Sequence, residues 1–79
     1  MPQLINAEYI GDYRIKVTFE DGKKGVINME NELWGEVFEP LKDLAQFQEF
    51  EFNPELGTIV WPSTGADLAP EFLYEKAVA

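Results

Sequence analysis

The sequence predicts an α+β domain: an antiparallel meander of three strands, a short helical segment, a β-hairpin and a C-terminal helix. Two observations lead to this prediction. Apolar and polar residues alternate strictly over Tyr13–Glu20, as in a strand with one buried face, and Asp21-Gly22 follows as a turn. The segment after Pro70 has instead the composition of a capped helix. With 79 residues, we expect a single domain over 1–79, with one sheet covered by helices on its apolar face.

The first strand is predicted at residues 4–10, with Ile5, Ala7 and Tyr9 on one face. Gly11-Asp12 then forms a turn into the second strand. The four apolar residues of that second strand are predicted to face the core: Tyr13, Ile15, Val17 and Phe19.

The turn at Glu20-Asp21-Gly22 determines how the second and third strands pair. A two-residue loop would place polar residues beside the apolar face of the second strand. A three-residue loop with a glycine bulge pairs Ile27 with Ile15 and brings Met29 opposite Tyr13. Because a slip of one residue moves every side chain to the other face, we predict the bulged turn, with Gly22 at positive φ.

The second half begins with a turn or short helix near 30–34 and a loop through Pro40. A helix of one or two turns is predicted near 42–47, with Asp43 as its cap. Phe50 and Phe52 alternate with acids in a strand whose apolar side is buried. "TIVW", residues 58–61, returns as the second strand of this hairpin.

The last helix is predicted to start near Pro70, a residue suited to the first helical turn. Asp67 or Ala69 is its predicted cap. Glu71 near its start and Lys76 near its end complement the helix dipole, and Leu68, Phe72 and Leu73 form its apolar face.

The residues missing from the chain exclude most catalytic chemistry. It has no cysteine and no histidine, so it offers no thiolate, no imidazole and no familiar zinc site. No glycine-rich phosphate loop and no calcium loop is present. We therefore expect no catalytic residues, no metal, no cofactor and no enzyme activity.

The charge balance bears on partners and location. Fifteen acidic residues against six basic ones give a net charge of −9. This argues against direct binding to nucleic acid and favours a small basic protein as partner, although the charge alone also serves solubility. No apolar run is long enough to span a membrane, and the first residues lack the pattern of a secretory signal. We expect a cytoplasmic protein without a membrane partner.

Trp34, Val37 and Phe38 form the first candidate surface. Standing among acids in an irregular segment, they are predicted either to form an exposed apolar patch for a protein partner or to cover the open end of the sheet. Edge strands offer a second route to association, by pairing between two copies of the chain.

The loop at 62–67 is the second candidate. Ser63, Thr64 and backbone N–H groups before a helix are suited to holding an anion. The alternative is purely structural: Pro62 and Gly65 shape a turn and Asp67 caps the helix, where its charge disfavours a second anion.

Three sets of residues are distinctive: Phe19, Asp21 and Gly22; Leu41, Asp43 and Phe47; and Trp61, Gly65, Ala66, Asp67, Pro70, Leu73 and Tyr74. With these residues the chain resembles the small prokaryotic family known as domain of unknown function 2442. Ser63-Thr64 stand where the family usually has one Asn, which lengthens the turn by one residue. The resemblance implies an α+β fold without an established activity.

Relatives in this family tend to be encoded beside another small uncharacterised protein, an arrangement similar to toxin–antitoxin pairs. Some look like fusions to a helix-turn-helix DNA-binding domain, a role that we do not expect to carry over to this chain. The resemblance thus implies an antitoxin-like role. Together with the composition, it favours a non-enzymatic protein-binding or regulatory module. The alternative is a small-ligand or anion-binding domain that uses the 62–67 loop.

Overall fold

The computed structural model describes residues 2–78, with side chains to residue 77. Within these residues, six strands and two α-helices follow one another, and a 3-10 helix at Glu39–Lys42 precedes the first α-helix. The strands and helices are β1 (Leu4–Tyr9), β2 (Arg14–Phe19), β3 (Lys24–Asn28), α1 (Leu44–Phe47), β4 (Glu51–Asn53), β5 (Thr58–Trp61), β6 (Ala66–Asp67) and α2 (Pro70–Val78). The α+β prediction is confirmed.

The first sheet is the predicted antiparallel meander, with the order β1-β2-β3. The predicted hairpin register is confirmed, because Ile15 pairs with Ile27 and the Met29 N–H donates to the Tyr13 carbonyl at 2.8 Å. Gly22 has φ +90°, as the bulged turn requires. The apolar side chains of β2 and β3 therefore share one buried face.

The start of β1 corrects one prediction. Ile5 is exposed rather than aligned with Ala7 and Tyr9, and Leu4 is buried in its place. The register of β1 against β2 shifts between Leu4 and Asn6, so one residue is left out of the ladder. Such a bulge inverts the alternation, which a count of every second residue does not anticipate.

The prediction of a single sheet is also wrong. The β4–β5 hairpin forms a second three-stranded sheet, in the order β4-β5-β6. The added strand β6 has only two residues, with Ala66 opposite Trp61 and Asp67 opposite Val60. A strand this short has no alternation that a sequence pattern could reveal.

This extra strand changes the entry into α2. Asp67 belongs to β6 and is not the helix cap; Ala69 is, and its carbonyl accepts from the Leu73 N–H at 3.1 Å. The Thr58 hydroxyl donates to the Leu68 carbonyl, and the Leu68 N–H donates to the Ile59 carbonyl at 3.1 Å. Hydrogen bonds to β5 thus fix the chain between β6 and α2.

The middle of the chain is mostly as predicted. Asp43 caps α1, accepting the Ala45 N–H at 3.0 Å. The residues near 30–34 form turns, one of them closed by the Glu32 N–H and the Met29 carbonyl at 2.9 Å. The loop expected through Pro40 is instead the 3-10 helix, in which Pro40 suits the first turn.

The core joins both sheets and both helices. Its buried apolar residues are Leu4, Ile15, Val17, Phe19, Ile27, Met29, Leu33, Leu41, Phe47, Ile59, Trp61, Ala66, Leu68 and Leu73. At its centre the Trp61 indole N–H donates to the Phe47 carbonyl at 2.9 Å, and their ring centroids are 5.7 Å apart. Phe50 and Phe52, predicted as buried, are half-buried and pack against this core.

Two contacts hold α2 on the first sheet. A Cβ atom built at Gly25 of β3 would lie 2.2 Å from the Ala77 carbonyl oxygen, so the helix rests directly on the strand backbone. The Tyr74 hydroxyl donates to the Asp21 carboxylate at 2.7 Å, and its ring meets Phe19 edge-on at 4.9 Å. The hairpin turn and the helix therefore depend on each other.

The close approach at Gly25 predicts the effect of adding one methyl group. We expect Gly25→Ala to destabilise the fold by about 1–3 kcal/mol, because backbone rather than a flexible side chain must move. For a domain of this size, thermal unfolding should shift by roughly 4–8 °C for each kcal/mol. The exposed neighbour Lys24→Ala is the control and should change stability by less than about 0.5 kcal/mol. An unchanged melting temperature for Gly25→Ala would contradict the contact.

The Asp21–Tyr74 pair predicts a dependence on pH. The Lys23 backbone N–H and then the Tyr74 hydroxyl bond the carboxylate and lower the pKa of Asp21 below its usual value of 3.8. A lowered pKa stabilises the fold above the unfolded value and ceases to do so as pH falls through the folded value. Urea unfolding should give wild type a larger free energy of unfolding than Asp21→Asn at neutral pH, and this difference should shrink as the pH falls below 3.8 and through the lowered folded-state pKa. A difference that is the same at both pH values would exclude the carboxylate charge as its cause.

Candidate functional site

The most prominent feature of the surface is the indole of Trp34. Its side chain is 71% exposed, the largest value among the exposed large apolar residues of the described chain, and Val37 beside it is 43% exposed. Trp34 therefore does not cover the open end of a sheet, which was the alternative interpretation. An exposed tryptophan beside a second exposed apolar side chain is typical of contact surfaces.

Trp34 borders a cavity of about 310 Å³ that opens to solvent, called here the Trp34 groove. Its lining is largely apolar, with two carboxylates. The lining residues are Met29, Glu32, Trp34, Phe38, Asp67, Leu68, Ala69 and Phe72. Two chain segments thus face each other across it, residues 29–38 on one side and the β6–α2 junction on the other.

The 29–38 wall is supported from within the core. Leu33 is buried directly before Trp34, and Phe38 meets the ring of Trp61 edge-on at 6.4 Å. Gly35, at φ +92°, turns the chain between these two anchors, and its carbonyl accepts the Glu39 N–H at 2.9 Å. Trp34 is therefore presented on a short turn whose two ends are fixed.

A cation of the chain itself contacts two residues that line the groove. Lys76 of α2 places its Nζ 3.0 Å from Glu32 Oε1 and 5.6 Å from the ring centroid of Phe72. Glu32 and Phe72 both line the groove. The ammonium is thus held between a carboxylate and an aromatic face, a combination of ion pair and cation–π contact.

The charge of the chain is divided unevenly around this site. Residues 30–78 contain eleven acidic side chains against two basic ones, whereas the first 29 residues contain four of each. Three of the early basic residues, Arg14, Lys16 and Lys24, are exposed on the face of the first sheet away from the core. The half of the sequence that supplies most of the groove is therefore the acidic one.

Hydrogen bonds within its own chain segment close the 62–67 loop. The Trp61 carbonyl accepts the N–H groups of Thr64 and Gly65 at 3.2 and 2.9 Å, and the Thr64 hydroxyl accepts the Ala66 N–H at 3.2 Å. Ser63 is exposed in the turn. Anion binding at Ser63, Thr64 and Asp67 stays a prediction.

The structure regroups the candidate residues. Trp34, Phe38 and Asp67 line one groove, although they came from two separate candidate sites, while Val37, Ser63 and Thr64 lie outside its lining. Sequence reasoning missed Glu32, Phe72 and Lys76 as a group. The spacing of Phe72 and Lys76, four residues apart on a helix, was a usable signal. No signal in the sequence linked either of them to Glu32.

Association through edge strands also stays a prediction. In the first sheet β1 and β3 are the outer strands. β1 carries a bulge near Ile5, and bulges limit pairing at a sheet edge.

Two further properties concern metals and membranes. Within residues 2–78, no group of three or more acidic side chains is placed to hold a metal ion. None of the helices in this part of the chain has the length and apolar character needed to cross a bilayer.

Comparison with known proteins gives one family and no individual relative. No curated protein and no solved structure matches the chain. The model of one family, described as "Protein of unknown function (DUF2442)", matches residues 4–79 and so includes every strand and helix described above. The match confirms the family indicated by the residues around Trp61 and Pro70: the chain belongs to the DUF2442 family.

Proposed function

We propose that this domain is a non-enzymatic protein-binding module and that the Trp34 groove, with the exposed Val37 beside it, is its contact surface. One observation carries the proposal: an indole that is 71% exposed stands at the mouth of an apolar cavity. Tryptophan is enriched among the residues that dominate binding energy at protein interfaces, because it buries a large area with few rotatable bonds.

The size of the groove favours a side chain as its occupant. Sites for whole small molecules usually measure about 300–1,000 Å³ and enclose most of the ligand. A cavity of about 310 Å³ that opens to solvent is at the lower limit of that range. It suits one anchoring side chain, with Trp34 and Val37 covering what surrounds it.

The charge around the groove favours a basic partner. Eleven acidic residues in 30–78 attract positively charged surfaces and repel nucleic acid and other polyanions. A small basic protein is therefore the proposed partner, and neutralisation of such a protein, as an antitoxin-like subunit does, is one form of this role. Regulation of a basic partner by occupying its surface is another form.

The proposal assigns no catalytic step to the chain. The sequence provides neither histidine nor cysteine, and the groove is lined mainly by apolar side chains. Glu32, one of its two carboxylates, is already paired with Lys76. Binding, rather than acid–base or nucleophilic chemistry, is what such a surface supports.

The proposal predicts a variant that loses binding without losing the fold. Proteins captured on the immobilised domain from a lysate of the source organism should include a small basic protein that Trp34→Ala no longer retains. With that protein purified, titration calorimetry should show binding weakened by about 2 kcal/mol or more, which is roughly 30-fold in Kd. The stability of Trp34→Ala should stay within about 0.5 kcal/mol of wild type, because the indole is mostly in solvent.

Leu56→Ala is the matched control. Leu56 is 58% exposed but lines a different, smaller cavity with Pro2, Gly57 and Pro70. This variant should retain the partner with unchanged affinity. If Trp34→Ala and Leu56→Ala retain the same proteins as wild type with the same affinity, the Trp34 groove is not the contact surface.

A further inference from the structure

Two residues that line the Trp34 groove, Glu32 and Phe72, already contact a cation. Lys76 Nζ lies 3.0 Å from a Glu32 carboxylate oxygen and 5.6 Å from the centre of the Phe72 ring. This pair is partly exposed, with 44% of the lysine side chain in solvent. A carboxylate beside an aromatic face is an arrangement that binds organic cations.

The lining of the groove includes a second aromatic side chain and a second carboxylate. Trp34 supplies the most favourable aromatic surface for a cation, and Asp67 supplies an exposed carboxylate. Within residues 2–78, no basic side chain lies within ion-pair distance of Asp67. The groove lining therefore includes one carboxylate and one aromatic ring that contact Lys76, and a second carboxylate and a second aromatic side chain that are both exposed.

Resting on the proposed function, we infer that the Trp34 groove takes an arginine side chain of the protein partner. The guanidinium is planar, stacks on an indole, and donates two parallel hydrogen bonds to a carboxylate. Its three-carbon stem packs on apolar surface, which Met29 and Leu68 provide inside the cavity. Arginine satisfies the whole lining, whereas an acidic or purely apolar anchor satisfies only a part of it.

Charge complementarity supports this occupant over the others. The acidic excess of residues 30–78 disfavours any anionic group at the groove. A neutral apolar side chain would fill the cavity but would bury the Asp67 carboxylate without a partner, which costs free energy. Lysine meets the charge requirement as a compact, strongly hydrated ammonium but lacks the planar fork.

The two tryptophans make the inference testable by NMR. Trp34 and Trp61 are the only tryptophans, so a ¹⁵N-labelled sample gives two indole N–H signals. Trp61 Nε1 is buried and bonded to the Phe47 carbonyl, so its signal is an internal control for an intact core. The probes are three acetylated and amidated Ala-X-Ala peptides, in which X is arginine, citrulline or glutamate. Citrulline is the uncharged isostere of arginine.

We expect the arginine peptide to move the Trp34 indole signal and to leave that of Trp61 in place. Its affinity should exceed that of the citrulline peptide by about threefold to tenfold. This preference should disappear on going from about 0.01 M to 1 M salt, where the screening length falls from about 30 to 3 Å. Asp67→Asn should make the affinities for the arginine and citrulline peptides equal. Glu55→Gln, which lies outside the groove, should leave the preference for arginine unchanged.

Three outcomes would overturn the inference: equal affinity for arginine and citrulline at low salt, shifts centred on residues away from the groove, or no shift of the Trp34 signal with the arginine peptide. The proposed function fails separately. A partner lost on Trp34→Ala together with equal peptide affinities leaves the binding module in place with a different anchor. An arginine preference without any Trp34-dependent partner would leave the groove as a cation site and overturn the protein-binding module.

Discussion

The contact between Trp61 and Phe47 is the interaction on which the rest of the fold depends. Trp61 ends β5 of the second sheet and Phe47 ends α1; their rings pack at 5.7 Å, and the indole N–H satisfies the Phe47 carbonyl. Tyr9 of β1 and Tyr13, in the turn before β2, meet Phe47 edge-on. One aromatic cluster thereby joins two small sheets, neither of which has enough strands and residues to bury a face alone.

The same cluster explains why the Trp34 groove is preformed. Phe38, which closes one wall, packs on Trp61. Leu68 of the other wall makes two hydrogen bonds to β5: its carbonyl accepts from the Thr58 hydroxyl, and its N–H donates to the Ile59 carbonyl. Both walls are thus anchored to the strand that ends in Trp61. A groove held in this way requires little ordering on binding, which lowers the entropic cost of the association proposed above. The exposed tryptophan is consequently a feature of a rigid surface.

Local chemistry predicted most of the fold. The bulged turn at Gly22, the Asp43 cap and the start of α2 each follow from residues adjacent in sequence. The failures have a common cause, since the bulge at Ile5 and the two-residue strand β6 are defined by pairing with a distant strand. Sequence reasoning identified only part of the candidate site. Trp34 and Phe38 were identified as candidate surface residues from their setting, and Asp67 was singled out for another role. Glu32 and Lys76 meet across 44 residues, and only the folded chain brings them together.

The uneven division of charge also bears on association. The first 29 residues carry four acids and four bases, whereas residues 30–78 carry eleven acids and two bases, so nearly all of the net negative charge lies in the later part of the chain. For the proposed basic partner, such an acidic excess raises the association rate and makes that rate, more than the lifetime of the complex, sensitive to ionic strength.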